Sequence, residues 1–393
     1  MKCKTVFCVS LVLLIASLAT AQIPCDPTIR PKATLFVNWP QLQYDSGHSG
    51  CNPYETILNP NTVENLTVKW QLAGPSSFLS PVIADGAVYS TSSTDFHISS
   101  STVAAENANT GGEIWAYTTQ NYYFSSPVVA NGIVYAGSTD NNLYALNAKT
   151  GNLVWKYATG DQVGSPPAVA NGMVYFGTDQ TYALNASTGA LIWTFPDGSL
   201  FSPAVANGVV YVGSGGLYAL NATTGDLLWE YQTLAYVRTA PAVANGRVYV
   251  STYDNNLDAV NANTGALLWT YPVATSVAPA VGKDKVYVVA DGGNVYALNA
   301  ATGTLVWSYN NTNDDQVSSP VVANGVVYVS SNLHDAGFLI CLDAETGAEL
   351  TVISTGVSGS SSTVANGVVY LGTAPYPPLQ ISGELFALSL NGR

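Results

Sequence analysis

Two short phrases recur along the chain about forty residues apart, and that recurrence limits the possible folds more than any other feature. The first reads Ser-Pro-x-Val-Ala-Asn-Gly-x-Val-Tyr, and its tyrosine stands at positions 89, 135, 175, 211, 249, 287, 328 and 370. The second reads Ala-Leu-Asn-Ala-x-Thr-Gly-x-Leu-x-Trp, and its glycine stands at 111, 151, 189, 225, 265, 303 and 347. A period of this length, built from short strands and tight turns, predicts a β-propeller and not a helical solenoid.

Each copy holds four candidate strands. In the second copy they are residues 127–130, 133–137, 142–147 and 153–157. Asn131-Gly132 suits a type I′ hairpin turn, and Lys149-Thr150-Gly151 makes a later turn at which glycine can take positive φ. The second and third strands are apolar almost without alternation, as expected of strands buried on both faces. Pro81, Pro127, Pro167, Pro203, Pro241, Pro279 and Pro320 open the first strands, with only Ser362 departing. A proline there marks an edge strand, because it cannot donate to a ladder. In a propeller that edge lines the central channel.

Counting the pieces predicts closure. There are eight sets of the first three strands but only seven fourth strands. Six of these carry Trp115, Trp155, Trp193, Trp229, Trp269 and Trp307, and the seventh, at Glu349 to Ile353, has no tryptophan. The eighth lies ahead of the first repeat, at Thr67 to Leu72, with Trp70. The expected fold is all-β, an eight-bladed β-propeller of four-stranded antiparallel blades whose ring is closed by an N-terminal strand.

Composition narrows the function. Charged residues make up 9% of the chain and hydrophobic ones 47%, which excludes disorder as the main state. A formal charge of −13 with no basic run argues against nucleic acid. Lys2 and Lys4, the apolar run from Val9 to Ala19 and the small residues Ala19-Thr20-Ala21 have the layout of a secretory signal peptide. The apolar run is too short to span a bilayer. The expected organisation is a signal peptide at 1–21, an irregular N-terminal extension at 22–66 and the propeller at 67–393. The product is expected to be exported, periplasmic or secreted, soluble, monomeric and without a transmembrane span. Cys25 and Cys51 form a possible disulfide suited to an oxidising compartment, while Cys341, inside Phe338 to Leu342, reads as a small core residue. His48, His97 and His334 are scattered, so no metal site is expected.

Residues Ala145 to Trp155 resemble the eleven-residue tryptophan-docking motif of quinoprotein propellers. The familial Asp at its third position is replaced by Asn147, Asn185, Asn221, Asn261 and Asn299, and kept as Asp343. The leader Trp39-Pro40-Gln41 through His48-Ser49-Gly50 to Asn52-Pro53-Tyr54-Glu55 is also similar to segments that precede such propellers. The resemblance spans residues 67–393 and implies blade packing, not cofactor binding.

It also implies two branches of function. One comprises dehydrogenases that hold pyrroloquinoline quinone and Ca²⁺ on the axis and oxidise alcohols or sugars. The other has lost the cofactor and serves as a scaffold, as in the lipoprotein of the outer-membrane β-barrel assembly machinery, to which this chain is closest in size. The dehydrogenase pattern asks for adjacent cysteines, a tryptophan floor, Ca²⁺ ligands and an Asp base. No two cysteines here are adjacent, and every tryptophan except Trp39 occupies a docking position. The reading adopted is a non-catalytic scaffold of the cell envelope, without cofactor, that binds a protein or another macromolecule. The alternatives are a quinone-dependent dehydrogenase and a carbohydrate-binding surface protein.

Candidate contacts for a ligand in the axial funnel are Tyr122, Tyr123, Asp161, Gln162, Tyr236, Arg238, Asp315 and Gln316, all in or beside loops entering first strands. Arg238 is the one cation at that register and could pair with an anion. Asp140, Asp254 and Asp291 read as turn residues. Deleting residues 22–72 is expected to leave the last blade edge unpaired and to lower the melting temperature strongly. A truncated chain that melts like the longer one would overturn this account of closure.

Overall fold

The computed structural model describes residues 38–392, apart from 75–76, 94–99, 121–123, 312–315, 334–335, 356–357 and 375–382. Eight antiparallel sheets follow one another along the chain. Blades 1 to 7 occupy residues 82–120, 128–158, 168–195, 204–231, 242–272, 280–309 and 321–354. Blade 8 joins residues 363–390 to the early strand Leu66–Ala73, which pairs antiparallel with Glu384–Leu390. The N-terminal strand therefore closes the ring as the repeat count requires.

Blade 2 shows how the local sequence sets each sheet. Its strands Val128–Ala130, Ile133–Ser138, Asn142–Asn147 and Leu153–Ala158 run from the channel outward. Asn131 and Gly132 take φ of 51° and 76°, the double positive φ of a type I′ turn. The second and third strands are buried almost throughout, whereas the outer strand alternates toward solvent. Among the described residues there is no single core. Apolar side chains gather in seven clusters between neighbouring blades, as sheets packed face to face require.

One arrangement joins seven of the eight seams. The tryptophan of one blade's outer strand and the tyrosine of its second strand donate to the same alanine carbonyl of the next blade. At the seam between blades 3 and 4, Trp193 Nε1 lies 3.0 Å and Tyr175 Oη 3.1 Å from the Ala222 carbonyl oxygen. Trp115 with Tyr89 meet Ala148 in the same way, and Trp70 with Tyr370 meet Ala108. The docking glycine next in line presses on the indole: a Cβ added at Gly225 would lie 2.7 Å from Trp193, at a φ of 79°. Within each blade the tryptophan stands opposite a small residue, such as Ala183 opposite Trp193. One extra residue bulges from the outer strand just before it, which turns the ring toward the neighbouring blade.

The seam between blades 7 and 8 departs from this. Cys341 faces Thr351 where other blades pair alanine with tryptophan. Tyr328 Oη is buried with no hydrogen-bond partner among the described residues. Leu58 and Val63, ahead of the closing strand, are fully buried in the cluster that also holds Tyr328, Cys341 and Leu388. The N-terminal segment thus supplies apolar filling where the repeat has lost its tryptophan. Cys341 is a free, buried thiol.

Because two donors share one acceptor, the seam energies are expected to be non-additive. Trp193→Phe and Tyr175→Phe should each cost about 1 kcal/mol in hydrogen bonding. The double variant orphans the Ala222 carbonyl and should cost about 1 kcal/mol more than the sum. Denaturant unfolding of the four chains measures it, and strict additivity would show that the carbonyl is satisfied elsewhere.

Candidate functional site

The inner strands present an unpaired edge to the axis, and buried edge groups need partners. The N-terminal segment 38–55 provides them blade by blade. Ile83 N–H donates to the Trp39 carbonyl in blade 1, and Val129 N–H to that of Pro40 in blade 2. In blade 3 the Gln41 amide replaces backbone, accepting from Val169 N–H and donating to its carbonyl, both at 2.9 Å. Val205, Val243, Val281 and Val322 N–H groups donate to the carbonyls of Ser46, Gly47, Ser49 and Gly50 in blades 4 to 7. Asn52 Nδ2 donates to the Val364 carbonyl of blade 8 at 2.7 Å. Taken by these bonds, the strap meets the eight inner strands in chain order, and Gln43 Nε2 reaches across to the Ala278 carbonyl ahead of blade 6 at 3.3 Å.

Both ends of the strap leave on the same face. Asn38 bonds to Asp85, Glu55 Oε2 accepts from Gly367 N–H, and the Leu58 carbonyl accepts from Asn324 Nδ2. These partners are the first-turn residues of blades 1, 8 and 7. The strap therefore closes the face of those hairpin turns. The opposite face, formed by loops entering the inner strands and by the second-to-third-strand turns, is the candidate site.

That face carries the most exposed apolar side chains of the described residues. Leu234 is 95%, Leu200 85%, Tyr236 69% and Tyr253 60% exposed. Arg238, from the loop entering blade 5, pairs with Asp291 of blade 6 at 2.8 Å and lies 5.4 Å from the centre of the Tyr253 ring. Tyr253 N–H donates to the Tyr236 carbonyl, so Tyr236, Arg238, Tyr253 and Asp291 form one continuous patch.

Of the residues expected to line a funnel, the structure brings Tyr236 and Arg238 together. Asp161 and Gln162 are exposed on another loop of the same face, where Asp161 Oδ1 accepts from Gln162 N–H. Gln316 lies in the strand Gln316–Val317, paired with blade 7. Tyr122, Tyr123 and Asp315 lie outside the described residues. Asp140 and Asp254 act within their turns, accepting from Tyr144 Oη and Thr252 Oγ1. Asp291 does more than turn chemistry, because it bridges two blades. Cys51 is disulfide-bonded, and Cys25 lies outside the described residues. Leu200, Leu234 and Tyr253 carried no sequence signal beyond being apolar residues in turns.

Among the described residues no three His, Cys, Asp or Glu side chains gather. Trp39 is buried in the strap, edge-on to Tyr44 at 5.2 Å, and offers no platform. Among them, too, no helix is long and apolar enough to cross a membrane.

The fold and its docking seams define an eight-bladed propeller of the quinoprotein-like class. The family model described as outer membrane protein assembly factor BamB matches residues 99–200 and 178–392, and the chain belongs to that family. No curated protein matches the chain. BamB from Moraxella catarrhalis is 18% identical, with a TM-score of 0.68, over 82% of this chain and 97% of that one. A quinohemoprotein alcohol dehydrogenase from Pseudomonas putida HK5 is 15% identical, with a TM-score of 0.73, over 91% and 81%. A europium-containing methanol dehydrogenase is 13% identical, with a TM-score of 0.76, over 90% and 98%. These structural likenesses extend to the fold.

Three buried titratable groups lie away from the open face. Burial raises the Asp45 carboxyl to about 6, while Ser49 and Gly47 donate to it. Burial lowers the His48 imidazole to about 4. Glu106 in blade 1 stands where other blades have Leu146, Leu184 or Leu220, and burial raises it to about 7. The folded chain holds the Glu106 proton more tightly than the unfolded chain. Its contribution to stability is therefore full below about pH 4.5 and lost as the pH rises through 7. Asp45 acts in the same direction at lower pH. His48 opposes both, because its contribution is lost as the pH falls from 6.5 through 4. Glu106→Leu is expected to raise the melting temperature, with a gain larger at pH 8 than at pH 5 by about 2 kcal/mol. Equal gains at both pH values would exclude the carboxyl as the cause.

Proposed function

We propose that this chain is an exported, non-catalytic scaffold of the cell envelope that binds a protein partner through the face opposite the strap. The observation that carries this reading is the patch of Tyr236, Tyr253 and the Arg238–Asp291 pair, with the exposed Leu234 on the same loop as Tyr236. Exposed aromatic and aliphatic side chains around an arginine are the composition of a protein-binding centre. Membership of the BamB family supports a protein partner, and the signal-peptide layout of residues 1–21 supports export. The rigid ring holds such loops in fixed positions, which limits the ordering cost of binding.

The competing reading is a quinone-dependent dehydrogenase. Incubation with pyrroloquinoline quinone and Ca²⁺, followed by equilibrium binding and dye-linked oxidation of an alcohol panel, separates the two. Stoichiometric binding with turnover would refute the scaffold. The scaffold reading expects neither. It also expects an envelope protein captured by the native chain to be lost, by at least about tenfold, with Tyr236→Ala or Leu234→Ser, the thermal transition being unchanged. Specific retention on a glycan array would favour carbohydrate binding instead.

A further inference from the structure

The seven regular seams hold the blades together but carry no information about how many there are. They use the same tryptophan, tyrosine and alanine carbonyl, so an added or missing blade would satisfy the same bonds. The strap differs, because its partners are unique and ordered. Trp39 belongs to blade 1, Gln41 to blade 3, Gly47 to blade 5 and Asn52 to blade 8. The inner edge is also a built peptide-binding site. Its N–H groups converge on the axis and are met by the carbonyls of a looped segment that takes positive φ at Gln43, Tyr44, His48 and Gly50.

We propose that the inner rim is a peptide-binding site whose occupant is the chain's own segment 38–55, and that this internal ligand fixes the ring at eight blades. The strap bonds each inner strand near its midpoint, and only a ring of the right circumference brings all of those groups to it at once. Residues 42–45 span the gap between the blade 3 and blade 4 contacts in a turn closed by Tyr44 N–H on the Gln41 carbonyl, and Asp45 holds the next loop through Ser49 N–H and Oγ at 3.0 and 2.9 Å. The strap is thus a shaped ligand and not a loose cover. Its ends are fixed by the first-turn residues Asp85 and Gly367, so its span is set as well as its order.

Two measurements on the full chain test this. In the first, a copy of residues 196–231 is inserted after Tyr231 to give nine repeats. The expected result is an eight-blade ring with one repeat extruded, seen by limited proteolysis and mass spectrometry. A protease-resistant nine-blade ring overturns the proposal, as does a chain with no resistant core, since a ligand for eight blades would still gather eight. In the second, Gln41→Ala removes only the blade 3 contacts. If the strap binds as one ligand, amide exchange should quicken about tenfold at Val243 and Val322 as well as at Val169. Quickening confined to Val169 would make the strap a row of independent caps and overturn the proposal.

Discussion

The structure depends on a carbonyl group that accepts twice. In each regular seam one alanine oxygen receives an indole N–H and a phenol O–H from the preceding blade, using both of its lone pairs. That requirement explains much of the repeat at once. Tryptophan and tyrosine must recur at fixed spacing, and the residue opposite the indole must be small. A glycine with positive φ must lie against the indole face, and a bulge must turn the indole outward from its own sheet. Apolar burial supplies the bulk of the stability. The shared carbonyl sets its geometry, because an indole and a phenol aimed at one atom leave little freedom for the blades to slide.

The axis answers a different need. Seven inner edges would otherwise point an unsatisfied N–H group, and the eighth an unsatisfied carbonyl, toward the axis, each costing about 1–3 kcal/mol if buried. The strap meets that need with carbonyls and two side-chain amides, and it brings Trp39, Leu58 and Val63 into the cluster spanning blades 7, 8 and 1. The blade without a tryptophan is thereby accounted for. Thr351 stands where the N-terminal segment already fills the space, and the price is a buried Tyr328 hydroxyl without a partner.

The fold was legible in the sequence because the seam chemistry is repeated. Val-Tyr, Asn-Gly and the docking phrase each mark one physical requirement, and the spare strand around Trp70 gave closure by count. The strap was not legible. Its contacts run largely through backbone carbonyls, which no residue type announces, with side-chain bonds to the inner strands from Gln41, Ser46 and Asn52. The candidate face was partly legible. Arg238 stood out as a lone cation, whereas Asp291 resembled every other Asp-Gly turn, and their pairing depends on how far apart two blades sit. Exposed residues such as Leu234 obey no periodicity, so pattern alone passes over them.

The pairing of Leu66–Ala73 with Glu384–Leu390 joins segments more than three hundred residues apart. No nearer strand can take the partner's place without leaving a blade incomplete. During synthesis the early strand must wait, unpaired, until nearly the whole chain is available. Closure is therefore a late event with a high contact order, and the final step of folding is slow relative to the formation of any one hairpin. A chain of this kind spends its youth as an open ribbon of finished blades. Its exposure to proteases and to self-association is set by that interval more than by the stability of the closed ring.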